Sequence, residues 1–253
     1  MQYTLKKGLG QHFLHEDSVC RRIVGALEPL HPERLLEVGP GGGAITRYLL
    51  QLPQVNFKAI EVDAEKVDYL QQTFPALNQA GVLLHQSILE AAPPFEAPFV
   101  VIGNFPYNIS TEIVFKLLEW GPLVEGVVGM FQKEVAQRLA APPGSKVYGV
   151  TSVLTQAFYS IDYLFDVAPG SFTPPPKVMS GVIRMVPLAA PPAMRSPAHF
   201  KNLVKTAFGQ RRKQLRNAVR SLFSPEVLAN PLFDKRAEQL SVEQFAQLSF
   251  KMK

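Results

Sequence analysis

Short apolar runs alternate with amphipathic segments through the first two thirds of the chain, and this alternation limits the fold more than any other feature. "RLLEV" runs into a glycine loop and then "AITRYLLQL"; "NFKAIEV" precedes "AEKVDYLQQTF"; "GVLLHQ" follows; "FVVIG" precedes "STEIVFKLLEW", and "EGVVGMF" precedes "QKEVAQRLA". Apolar runs this short, separated by helical segments, are the strands of a parallel sheet covered on both faces. Two later runs, "FYSIDYLFDVA" and "VMSGVIRMVPL", are expected to close the sheet as an edge hairpin.

The first strand carries the first chemical signal. In "LLEVGPGGGAIT" (35–46) it enters a glycine-rich turn that opens a helix. Glycines let a backbone approach a ligand closely, and the helix N-terminus adds positive potential. Gly39, Gly41 and Ala44 satisfy the loose dinucleotide fingerprint. Glu61 in "IEVD" follows at the distance of an acid that holds a ribose hydroxyl pair. Folds for NAD, FAD and S-adenosylmethionine all use a glycine turn with an acid ending the second strand, so the pair points to a nucleoside ligand without choosing one. "LLHQSILE" puts Ser87 at the end of the third strand, where serine is ordinarily a turn former.

A second signal is "GNFPYN" (103–108), where an amide follows an apolar strand and precedes a Phe-Pro-Tyr run. Asn, Pro and Tyr make an ordinary turn. They also supply an amide oxygen and a flat ring, which together can hold an exocyclic amino group and the base carrying it.

Composition adds limits rather than detail. The 253 residues are 47% apolar, with no run near the roughly 20 residues of a membrane-spanning helix. The N-terminal stretch has no apolar core of a secretory signal. Cys20 is the single cysteine, which excludes an internal disulfide and a Cys-rich metal site and fits a reducing cytoplasm. Charge is uneven: residues 195–253 carry 12 Lys and Arg against 4 Asp and Glu, while residues 1–194 carry 14 against 17. A basic tail on a mildly acidic body suits a polyanionic partner. The proline-rich "VPLAAPPAMRSPAHF" (186–200) marks a linker at about 187–196. It divides an α/β domain over 1–190 from an all-helical basic domain over 191–253. In the latter, "HFKNLVKTAF" stops near Gly209, "RRKQLRNAVRSLF" follows as a helix, and Ser241 with Gln244 forms a capping box for the last helix. Arg212, Arg216 and Arg220 recur every four residues, so on that helix they form one phosphate-binding stripe opposite Leu215, Ala218, Val219 and Leu222.

Six segments occur in one order: "GLGQHFL" (8–14), "EVGPGGGAIT", "GNFPYNIST" (103–111), "FQKEVAQRL" (131–139), "SKVYG" (145–149) and "SFTPPPKV" (171–178). Together with "FGQRRKQLRN" they closely resemble the small-subunit ribosomal RNA adenine dimethyltransferases, from about Lys7 to the final helix. The resemblance implies a Rossmann-like class I methyltransferase sheet with a small helical C-terminal domain. It also implies S-adenosylmethionine as cofactor, small-subunit rRNA in an assembling subunit as partner, and a monomer in the cytoplasm. His12 and Leu14 match the segment over the methyl donor, Gly39 the glycine turn, and Glu61 the ribose acid. Asn104 matches the residue near the donor's amino-acid moiety and the target amine. Ser87 departs from the usual Asp against the cofactor's adenine, and a hydroxyl still accepts a hydrogen bond. Phe105 departs from the usual Leu and preserves apolar packing.

The implied mechanism uses positioning. Adenine's exocyclic nitrogen is a poor nucleophile because its lone pair is delocalised into the ring. Asn104 Oδ1 and the Pro106 carbonyl, accepting its N–H groups, would aim that lone pair at the methyl group, and no His or carboxylate base is required. Tyr107 would stack on the extruded adenine, and Phe172 would cover its other face. Rival readings are an antibiotic-resistance methyltransferase of large-subunit rRNA, a DNA adenine methyltransferase, a non-catalytic assembly factor with a relic donor pocket, and an NAD oxidoreductase.

Overall fold

A computed structural model describes residues 12–253. The chain runs β1 (Phe13–Leu14), α1 (Asp17–Gly25), β2 (Arg34–Val38), α2 (Thr46–Leu49), β3 (Asn56–Glu61), α3 (Ala64–Thr73), β4 (Leu83–His85) and β5 (Phe99–Asn104). It continues through α4 (Ser110–Trp120), β6 (Val124–Gln132), α5 (Lys133–Leu139), α6 (Val150–Gln156), β7 (Tyr159–Val167), β8 (Phe172–Thr173) and β9 (Ser180–Pro187). Five helices follow or close the chain's second part: α6 above, then α7 (Pro197–Gly209), α8 (Leu215–Ala218), α9 (Pro225–Leu228) and α10 (Val242–Ser249).

The strands form a seven-stranded sheet in the order β4-β3-β2-β5-β6-β9-β7. The pairs from β4 to β6 are parallel and β9 returns antiparallel on β6. The residues of β5 from Phe99 to Gly103 are all buried, as crossover helices on both faces require. Val100, Ile102, Val128 and Met130 join Leu35 and Ala59 in one core. The late β-rich runs do complete the sheet: β9 pairs inside β7, which is the edge strand. Between them β8 leaves the sheet and pairs antiparallel with β1, Leu14 opposite Phe172.

Compactness divides the chain differently from a single cut in the sequence. One unit contains residues up to Ala136 with Asp162–Pro187; the other joins Gln137–Ile161 to Leu188–Lys253. The stretch 137–161 enters the second unit because its apolar groups lie there. Tyr148 is fully buried with its ring 6.1 Å from Phe208, and α6 packs against α7. The α10 capping box forms as its sequence implies: Ser241 Oγ accepts the Gln244 N–H and Gln244 Oε1 accepts the Ser241 N–H.

The expected arginine helix does not form. After α7 ends at Gly209, Gln214 is extended (φ −60°, ψ 146°) and makes an isolated β-bridge with Arg236. The Leu215 N–H then donates to the Lys235 carbonyl. Only Leu215–Ala218 is α-helical, and Arg220–Leu222 is a separate 3₁₀ turn. Burial of Leu215 and Val219 and pairing of Arg216 with Asp234 hold this broken path. Arg212 therefore lies on a turn, exposed, while Arg216 and Arg220 border a cleft with Lys253. The three do not share one helix face.

Candidate active site

Two loops at the C-terminal ends of adjacent parallel strands build the site. After β2, Gly39 and Gly41 take left-handed conformations (φ +67° and +55°) that glycine adopts without strain. A Cβ on Gly41 would also come within 3.3 Å of the Phe13 ring, so the turn and β1 approach closely. Glu61 ends β3, 7% exposed, and its carboxylate ties the loops together. Oε2 accepts the Gly41 N–H at 3.1 Å; Oε1 accepts the N–H groups of Val62 at 2.9 Å and Asp63 at 3.1 Å. An anchored carboxylate in the wall of a cavity is the acceptor a vicinal diol needs.

The second loop follows β5. Gly103 has no room for a side chain: a Cβ there would be 2.6 Å from the Val38 carbonyl and 2.7 Å from the Phe105 ring. That fit lets Phe105 turn back into the core, edge-on to Phe131 at 5.0 Å, and leaves Asn104 and Pro106 facing the cavity. Asn104 Nδ2 donates to the His12 carbonyl at 3.2 Å, which leaves Oδ1 as the acceptor. The Pro106 carbonyl accepts the Ile109 N–H at 3.2 Å and keeps a second lone pair. The Tyr107 hydroxyl hydrogen-bonds Ser180 Oγ, and its ring centroid lies 5.5 Å from that of His12. Burial pushes the Tyr107 phenol up, and the Ser180 hydrogen bond opposes that shift.

A cavity of about 330 Å³ unites these groups, with walls that include His12, Leu14, Gly39, Glu61, Ser87, Asn104, Pro106 and Tyr107. Ser87 also serves its turn, since its Oγ accepts the Leu89 N–H at 3.3 Å. Phe172 is a correction. It is 2% exposed, sits in the apolar core and does not line the cavity, because pairing with β1 turns its ring inward and leaves Thr173 outside. Residues 8–11 of the N-terminal motif lie outside the described residues.

Two further residues carry roles that their neighbours in the sequence do not announce: Glu37 in the cavity wall and Ser180 behind it, against the Tyr107 hydroxyl. Glu37, 2% exposed, lines the cavity and accepts a hydrogen bond from Thr46 Oγ1 at 2.7 Å. Burial pushes its carboxyl up to about 8; the Thr46 bond opposes this, and the nearby Glu61 charge adds to it. Its signal was an acid inside the otherwise apolar "RLLEV". Ser180, fully buried where β9 begins, had no local signal, because only the fold brings it to Tyr107.

Sheet order, glycine turn and strand-end acid define a class I methyltransferase. Solved structures agree on the fold: a dimethyladenosine transferase from Plasmodium falciparum (TM-score 0.76, 22% identity, 95% of this chain and 99% of that one) and the 23S rRNA methyltransferase ErmE (TM-score 0.72, 22% identity, the same coverage). Among curated proteins, the ribosomal RNA small subunit methyltransferase A of Cytophaga hutchinsonii is 47% identical over 96% of this chain and 95% of its own. That of Porphyromonas gingivalis is 44% identical over 98% of each. The ribosomal RNA adenine dimethylase family matches residues 2–252, and the chain belongs to it. It is thus an rRNA adenine dimethyltransferase that uses S-adenosylmethionine, and rRNA is its substrate.

Proposed function

We infer that this chain places two methyl groups on the exocyclic N6 of each of two adjacent adenosines near the 3′ end of small-subunit rRNA. The observation that carries the reading is the fixed orientation of Asn104, its amide nitrogen held by the His12 carbonyl in the cavity that Glu61 also lines. The relatives named above, at 44–47% identity, are ribosomal RNA small subunit methyltransferases by name.

S-adenosylmethionine, when bound, supplies an electrophilic methyl group on a sulfonium sulfur. Glu61 would hold its ribose hydroxyls, Gly39 and the turn would leave room for its amino-acid moiety, Ser87 would meet its adenine, and His12 and Leu14 would cover it. Asn104 Oδ1 and the Pro106 carbonyl accept the two N–H groups of the target amine and turn its lone pair out of conjugation. Tyr107, tethered through Ser180, offers a ring face to the extruded adenine. These groups act by holding the nucleophile in line in a partly dry cavity, which is where fixed dipoles are strongest. Arg212, Arg216 and Arg220 contact RNA phosphates from separate positions rather than one stripe. Arg216, already paired with Asp234, contributes least of the three.

No helix among the described residues is long and apolar enough to cross a membrane. The protein acts in the cytoplasm, as a monomer, on an assembling subunit. Mapping methylated adenosines in rRNA by mass, with and without the protein, tests the reading. Loss of dimethylated adenosines from small-subunit rRNA alone is the expected result. A change confined to large-subunit rRNA, or none at all, overturns it.

A further inference from the structure

The second unit carries a cleft of its own, and the broken path after α7 builds it. After the buried Val219 the chain makes the 3₁₀ turn Arg220–Leu222 and then turns again into α9. Phe223, fully buried and edge-on to Phe233 at 5.1 Å, anchors the bend between them. Lys253 is pinned beside it: its N–H donates to the Leu222 carbonyl at 3.0 Å, and its carbonyl accepts from Arg195 Nη1 at 3.1 Å. The cleft has a volume of about 470 Å³, within the roughly 300–1,000 Å³ of small-ligand sites. Its lining divides by chemistry. Phe223, Pro225 and Leu228 supply apolar surface, Arg216, Arg220 and Lys253 supply charge, and Asn217 supplies an amide. Arg216 is paired with Asp234, and Glu226 stands within the field of Lys253. Arg220 is exposed and has no ion pair among the described residues, so one positive charge is left over. The exposed Asn217 side chain likewise makes no hydrogen bond among the described residues.

We propose that this cleft seats one unstacked nucleotide of the RNA substrate, with its phosphate on Arg220 and Lys253 and its base on the apolar floor beside Asn217. The proposal deepens the reading of these arginines as phosphate contacts and rests on rRNA being the substrate. Phosphate contact alone needs cations on an open surface and no floor. An RNA duplex offers phosphates but keeps its bases stacked, so it leaves the floor uncovered. A nucleotide splayed from a single strand brings both parts at once: a charged phosphate, and a flat ring whose edge carries donors and acceptors. An amide matches such an edge because it presents a donor and an acceptor side by side. The single uncompensated charge suits one phosphodiester. The cleft is thus a second hold on the RNA, additional to the adenine taken by the active-site cavity.

Binding of short single-stranded RNA to the whole protein tests this. The probes are hexa-adenylate and a hexamer of equal charge that lacks every base. In ¹H–¹⁵N NMR, hexa-adenylate should shift the signal of the Asn217 side-chain amide. Ala229 is exposed and lines the cleft, so Ala229→Phe fills the space without disturbing the core. By fluorescence anisotropy it should weaken hexa-adenylate about fivefold, the low end for one base held on protein side chains. It should leave binding of the base-free hexamer and the salt dependence unchanged, which also shows the fold intact. Arg220→Gln should weaken both probes and reduce the log–log salt slope by about 0.7. An Asn217 signal that hexa-adenylate leaves in place overturns the proposal, and so does an Ala229→Phe effect that is absent or equal for the two probes. Adenosine monophosphate binding the cleft as tightly as hexa-adenylate overturns it too, since the occupant is then a free nucleotide. Methylation itself is decided separately by the mapping of rRNA adenosines, so the two readings fail independently.

Discussion

The two walls of the cavity are held in different ways. On the cofactor side, Glu61 is fixed by backbone N–H groups one, two and twenty residues away, all belonging to the loops after β2 and β3. On the target side, each tie spans most of a domain: Asn104 to His12 across 92 residues, Tyr107 to Ser180 across 73, and His12 to Pro174 across 162. The first wall is tied within the loops that follow β2 and β3. The second exists only when three remote segments meet. Cofactor binding and target positioning should thus fail separately under mutation.

The largest effect should come from Asn104→Ala. It removes an acceptor needed most in the transition state, so single-turnover methyl transfer should drop by about 10³-fold with cofactor affinity nearly unchanged. A parallel loss of cofactor affinity in calorimetry would merge the two walls into one. Next is Glu37→Gln, which probes the buried carboxyl in the cavity wall. The native carboxyl titrates near 8 and the unfolded one near 4.5, so the native state binds more protons between these values. Stability contributed by the protonated form is complete below 4.5, is lost as pH rises to about 8, and stays lost above that. The loss is a few kcal/mol, on the order of 1.4 kcal/mol per unit of pKa difference. Denaturant melts of the cofactor-free protein should show wild-type stability falling across this window relative to Glu37→Gln; parallel curves would refute the assignment.

Glu61→Gln should weaken S-adenosylmethionine binding by about 10- to 100-fold, the range for losing charged hydrogen bonds, while RNA affinity holds. Equal losses for both ligands would contradict separate walls. Ser180→Ala should give the smallest effect. Freeing the Tyr107 hydroxyl costs about 1 kcal/mol, or roughly fivefold in methyl transfer, with cofactor affinity unaffected. An unchanged rate would show that Tyr107 holds its position without this tie.

The same contrast explains what could be read from the chain. The alternation that sets the sheet, the glycine turn and Glu61 are all local patterns, and each stands in the structure where its spacing placed it. Asn104, Pro106 and Tyr107 are legible as a motif, but the partners of Asn104 and Tyr107 are not, because His12 and Ser180 lie 92 and 73 residues away. Phe172 misled because an aromatic before prolines looks alike whether its ring faces a ligand or the core, and only the pairing of β8 with β1 decides. The arginine stripe failed for a related reason. Helical periodicity from 212 to 220 is real in the sequence, yet the bridge between Gln214 and Arg236, made across 22 residues, overrides it. Glu37 was visible as an anomaly, an acid in a buried strand, whose meaning depends on the carboxylate at Glu61 that the fold brings near.

The tie between His12 and Pro174 also sets a clock during synthesis. At roughly 5–20 residues per second, the 162 positions between them take about 10–30 s to translate. Within that interval β2, β3, the glycine turn and Glu61 are already available to one another, while Tyr107 still lacks Ser180. The ties around Glu61 thus have all their residues early, whereas the partners of β1 and of Tyr107 arrive late, with β8 and β9.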